Sequence, residues 1–142
     1  MSAVPHAPLI CLSANGNTLC ESEEAARTLL VATVEAVFEF ARADARAAWR
    51  LVRDDILPGR HVSALTYEPR SGLTFAALHF QGGVLVSADR GRTWEPRNEG
   101  LQSGHAYSLH VQYVGERTIL YLGTEPVMLY RSDDLGMDRF RY

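Results

Sequence analysis

Short apolar runs rich in β-branched and aromatic residues, separated by Gly, Pro, Asn and Asp, follow one another from residue 9 to the end of the chain. They are too short for amphipathic helices, in which apolar positions recur every three to four residues over about ten or more. The pattern predicts twelve strands: 9–13, 29–33, 37–41 and 49–52, then 62–67, 74–79, 84–87 and 94–97, then 107–113, 118–123, 128–131 and 139–142. The expected class is all-β. Residues 21–27, ESEEAAR, have helical propensity. A helix that short is marginal in isolation, so a solvated loop is expected there.

The strands fall into fours because the sequence repeats. Ser87-Ala88-Asp89-Arg90-Gly91-Arg92-Thr93-Trp94 has an echo on each side, and Asp44, Asp89 and Asp134 are spaced 45 residues apart. Upstream, Trp49 follows Asp44 at the distance at which Trp94 follows Asp89, while Arg42, Arg46 and Ala48 replace the Ser, Gly and Thr. Downstream, Ser132, Asp134 and Gly136 survive, Asp138 takes the Thr position, and the aromatic slips by one residue to Phe140. Residues 62–67 align with 106–111, each run preceded by a histidine, His61 and His105. A period of ~40–45 residues built only of strands is the length of one four-stranded propeller blade. Three antiparallel blades are therefore expected in a single segment, at about 8–53, 61–101 and 105–142.

Each residue of the octapeptide has local work in reversing the chain between a third and a fourth strand. Asp89 can accept hydrogen bonds from N–H groups of its own turn, and Gly91 can take φ > 0 without a Cβ clash. Ser87 and Thr93 can bond backbone at the strand ends, and Trp94 can lie over the turn and bury an aromatic face. The pattern Ser-x-Asp-x-Gly-x-Thr-Trp resembles the Asp-box of the BNR repeat family of sialidase-like β-propellers, complete in the middle copy and eroded in the other two. The resemblance covers residues 29–142. It implies that the turns carrying Asp44, Asp89 and Asp134 sit on a rim away from any ligand face and are structural, so that none of these aspartates is catalytic.

Composition narrows the partners. With 46% apolar and 22% charged residues, the 142-residue chain can bury a core. A net charge of -3 and no Lys/Arg cluster interleaved with aromatics argue against nucleic acid. No apolar run reaches the ~18 residues of a membrane span, and the first residues lack the pattern of a signal peptide, so a cytoplasmic protein is expected. Cys11 and Cys20 are expected as two reduced thiols rather than a disulfide.

No catalytic set, metal site or cofactor is legible. The Arg-Ile-Pro type motif of the sialidases is absent. A ligand face would lie at the loops entering each blade and at the hairpins between second and third strands, where Arg60, His61, Gln81, His105, Glu35 and Glu125 fall. His61 and His105, one repeat apart, could line one opening, although their spacing is not that of a metal motif. Glu68-Pro69-Arg70 and Glu95-Pro96-Arg97 are expected as surface turns, and Gly82-Gly83 as a tight hairpin rather than a phosphate loop.

Propellers close with typically 4–8 blades, so three leave two end faces to be covered. Self-association of two copies into a six-bladed ring is the expected remedy. The function expected is that of a non-enzymatic module binding protein or glycan on its loop face. Against it stand a glycoside hydrolase or exo-sialidase-like enzyme completed by further blades, and a degenerate relative without activity.

Overall fold

The structure is a computed structural model describing residues 8–17, 19 and 22–142. The described residues form eleven strands and no helix, hence no helix long and apolar enough to cross a membrane. The first sheet contains β1 (Leu9–Leu12), β2 (Thr28–Ala32), β3 (Val37–Ala41) and β4 (Arg50–Ile56). The middle sheet contains β5 (Val62–Glu68), β6 (Leu73–Leu78), β7 (Gly83–Ser87) and β8 (Glu95–Pro96). The third contains β9 (Ala106–Val114), β10 (Arg117–Thr124) and β11 (Met128–Ser132), and none of the three closes on itself. The segment at 22–27 is without helix, as its length predicted.

The sheets stack through two cores. Leu9, Cys11, Leu30, Val37 and Ile56 of the first sheet meet Val62, Leu65, Ala76 and Leu78 of the middle one. Ala64, Phe75, Ala77, Val84 and Val86 on its other face meet Leu109, Val111, Leu120, Leu122 and Tyr130 of the third. Covered on both faces, β5, β6 and β7 are almost wholly buried and lack the apolar–polar alternation of a half-exposed strand. A β-bulge at Ser63, where Val62 pairs with Leu78 but Ala64 with Ala77, turns Val62 and Leu65 to the same side.

Two expectations about the strands are corrected. Instead of four antiparallel strands per sheet, β1 runs parallel to β2, with Cys11 opposite Leu30. Parallel neighbours need a connection of about a dozen residues or more, and residues 13–27 supply it. That connection crosses the edges of the other two sheets. Ser13 bonds to Leu65, Asn15 donates to the Ser63 carbonyl at 3.2 Å, and Gly16 forms a parallel bridge with Leu109. The amide of Asn17 then pairs with both backbone groups of Val111, at 2.9 and 3.1 Å.

The third sheet also lacks its fourth strand. Residues 139–142 contribute a single bridge between Arg131 and Arg141, because Phe140 turns inward, buries its ring in the second core and donates its N–H to the Glu99 carbonyl. Cys11 is buried, and burial pushes its thiol up to about 12. Cys20 and Glu21 lie outside the described residues.

Candidate functional site

Strand direction sorts the loops into two ends. The Ser87–Trp94 and Ser132–Phe140 turns lie where β7 and β11 finish, at the end opposite the β6–β7 hairpin. Ser87 Oγ donates to Asp89 Oδ1 at 2.8 Å and accepts from Gly91 N at 2.8 Å. Asp89 in turn accepts from Thr93 Oγ1 at 2.6 Å and from the amides of Arg92 and Thr93. The Thr93 hydroxyl and amide lead the interactions that hold the Asp89 carboxyl well below the usual carboxylate range. Trp94 Nε1 donates to the Gly91 carbonyl, and its ring packs against the first core.

The later turn repeats the first half of this pattern. Ser132 Oγ donates to Asp134 Oδ1 and accepts from Gly136 N, both at 2.7 Å. Arg90 and Gly91, and again Leu135 and Gly136, take positive φ. The Asp44 turn differs, its carboxylate accepting from Arg46 and Ala47, one residue nearer than in the Asp89 turn. Arg42, in place of Ser, caps the Ala26 carbonyl and stacks its guanidinium 4.2 Å over Trp49.

Glu68, at the same end, corrects the reading of Glu68-Pro69-Arg70 as surface. Its side chain is fully buried, accepting from the amides of Arg70 and Ser71 and from the Tyr113 hydroxyl, while the Arg70 guanidinium lies 3.6 Å over the Tyr113 ring. Desolvation raises the carboxyl, but hydrogen bonds from Ser71, Tyr113 and Arg70 outweigh it and leave the net shift downward. At the Ser132–Phe140 turn, Arg131, Asp133, Asp134, Asp138, Arg139 and Arg141 line a cleft of about 280 Å³. Three arginines there offset three aspartates, and Arg131 pairs with Asp133 at 2.7 Å.

The opposite end carries a cluster of imidazole and aromatic rings. His79 N–H donates to the His61 carbonyl at 3.0 Å, and one repeat later Glu125 N–H donates to the His105 carbonyl at 3.0 Å. These matching bonds put His79 and Glu125 at corresponding places in the middle and third sheets, and the stacked sheets bring the two pairs together. His79 Nε2 lies 2.9 Å from Glu125 Oε2, and its ring centroid is 5.4 Å from that of His61 and 5.8 Å from that of His105. A carboxylate only accepts, so Nε2 carries the proton. Nδ1 is buried and has no hydrogen-bond partner among the described residues.

Tyr107 and Phe80 complete the cluster, their ring centroids 5.7 and 4.3 Å from that of His79. Tyr107 arrives through a second bulge, matching the one at Ser63, in which Ser108 pairs with Gly123 but Ala106 with Thr124. His79, Phe80, His105, Glu125 and Pro126 line an open cleft of about 530 Å³. Beside it, sharing His79 and Phe80, lies one of about 290 Å³ reaching Asn15, Val34, His61 and Tyr107.

Of the residues singled out in the sequence, His61, His105 and Glu125 come together here. Arg60, Gln81 and Glu35 stand exposed on turns at the same end. His79 and Phe80 were missed. The available signal was that His79 ends a predicted strand directly across the hairpin from His61. Among the described residues, no group of three His, Cys, Asp or Glu side chains has the geometry to hold a metal ion. No protein-family model matches the chain, and no curated protein matches it either. The site must therefore be interpreted from its own chemistry.

Proposed function

We propose that the chain is an Asp-box β-propeller module of three blades, acting as a binding or assembly scaffold whose ligand end is the His61–His79–His105–Phe80 cluster. The observation that carries this reading is the division of labour between the two ends. At one end, repeated Ser and Asp side chains are spent on backbone N–H groups of their own turns. At the other, aromatic and imidazole rings and a carboxylate surround open clefts. Glu125 is the one carboxylate among the described residues lining the larger cleft. This favours binding over hydrolysis by a carboxylate pair, whose members stand ~5–10 Å apart.

Probing glycan and peptide arrays with wild type and Phe80→Ala tests the reading. Retention of a ligand class by wild type, weakened in the variant, is expected. The alternative of a glycoside hydrolase or exo-sialidase-like enzyme is tested with fluorogenic sialosides and glycosides. Turnover that falls on replacing Glu125 or His79 would overturn the scaffold reading.

The proposed blades leave two end faces, and these differ. Ile10, Leu29, Phe40 and Leu51 form one cross-strand row on the outside of the first sheet, and Leu12, Val31 and Phe38 form a second. The outside of the third sheet carries Ser108, His110, Gln112 and Val114, with Arg117, Ile119 and Tyr121 opposite them and Leu129 and Arg131 beyond. We therefore propose that two copies associate through their first sheets, apolar face on apolar face. A six-bladed ring would instead set each apolar first sheet against a third sheet of mixed polarity.

A further inference from the structure

We infer that the cleft beside Phe80 receives the cationic head of a basic side chain, arginine above all, presented by a protein partner; this rests on the binding reading of that end of the molecule. Phe80 contributes little to the fold. The residue is 69% exposed, and its backbone sits at φ 54°, followed by Gln81 at φ 68°. Two successive left-handed residues at a hairpin tip favour Asn and Gly, and a bulky residue there is an outlier. Neither burial nor backbone preference accounts for a phenyl ring at that position, and strain of this kind gathers where a side chain meets a ligand.

The surroundings specify the ligand's charge. His79 and His61 both pack against Phe80, at interplanar angles of 66° and 51°, and the exposure of Phe80 still leaves ring surface open. Glu125 bears the negative charge of the lining, and its Oε2 is taken by His79. The side chain is 67% exposed, so a carboxylate oxygen stays accessible to a second donor. A guanidinium can donate to that oxygen while its plane lies on the Phe80 face, whose quadrupole attracts cations. Pro126 and the almost fully exposed Val127 offer apolar surface to the aliphatic stem. Arg60, at the same end, has its guanidinium against Gly82 rather than in the cleft lining.

The test is an NMR titration of the full chain with N-acetyl-arginine N-methylamide, the matched citrulline derivative and methyl β-glucopyranoside. The arginine probe is expected to shift the resonances of Phe80, His79 and Glu125 with a Kd on the order of millimolar. Citrulline, an isostere without the charge, should bind about fivefold more weakly, and Phe80→Ala and Glu125→Gln should each weaken arginine by a similar factor while leaving the remaining spectrum in place. Equal binding of citrulline, or arginine shifts confined elsewhere, would overturn the proposal. If the glucoside alone moves these resonances, the binding end stands and the cationic ligand falls; if none of the three does, both fall.

Discussion

Phe75 and Phe80 belong to the same hairpin and stand in opposite relations to the fold. Phe75 is fully buried between the middle and third sheets, so Phe75→Ala should cost about 3–5 kcal/mol and show as a lowered urea midpoint. Phe80 is exposed on a left-handed backbone, and Asn tolerates that conformation better. Phe80→Asn should therefore stabilise by roughly 0.5–1 kcal/mol in the same assay, the gain expected when strain at a functional position is relaxed. A loss of stability on this substitution would mean that the ring supports the fold after all.

Asp89 supplies the pH dependence at this scale. Its folded carboxyl is depressed below the ordinary value of 3.8, chiefly by the Thr93 hydroxyl and amide and by Ser87. The unfolded chain therefore takes up the proton first. The stabilisation is present above about pH 4 and drains away as the pH falls further. Asp134, depressed chiefly by Ser132, acts in the same direction. Thermal melts from pH 7 down to 2 should show the wild type losing stability on the acid side. Asp89→Asn should begin lower at pH 7 and fall less steeply.

At the scale of the element, the most informative piece is the segment that crosses the inner edges of β5 and β9. Asn17 pairs with Val111 as a backbone unit would, so Asn17→Ala removes two hydrogen bonds and leaves an edge donor and acceptor without them. A loss of about 1–2 kcal/mol is expected, measured by urea unfolding, with greater amide exchange at Val111. The hairpins were legible in the sequence because their determinants are local: turn residues between β-rich runs and a recurrence that aligns strand with strand. The parallel pairing of β1 was not. It depends on where residues 13–17 find partners, and Asn17 bonds across 94 positions of sequence.

The missing fourth strand of the third sheet has a similar origin. The slip of the aromatic to Phe140 was visible, but its consequence depends on the second core, which takes the ring, and on Glu99 and Gly100, against which its backbone lies. The site was half legible for the same reason. His61 and His105 stood out through the repeat, whereas the pairing of His79 with Glu125 crosses between sheets. Burial of Glu68 likewise needed Tyr113 from the neighbouring sheet.

For the whole molecule, the decisive property is that the stack has two unlike ends. Strands spaced ~4.8 Å apart and rising ~3.3 Å per residue give the outer face of the first sheet roughly 300 Å², well short of the ~800 Å² per partner of a standard interface. Association through this face should be weak and dependent on concentration, whereas the middle sheet is buried on both sides within the chain itself. Light scattering on size-exclusion fractions loaded between ~1 and several hundred micromolar should show the mass rising from monomer toward dimer. Phe40→Lys, in the centre of the apolar rows, should hold the chain monomeric throughout, because a charge would then face hydrocarbon in the paired state. Tyr121→Lys, in the mixed outer face of the third sheet, should leave the association unchanged. The reverse result, dissociation by Tyr121→Lys and by Phe40→Lys alike, would place a third sheet against each first sheet and restore the closed six-bladed ring. A monomer at every concentration would remove self-association altogether.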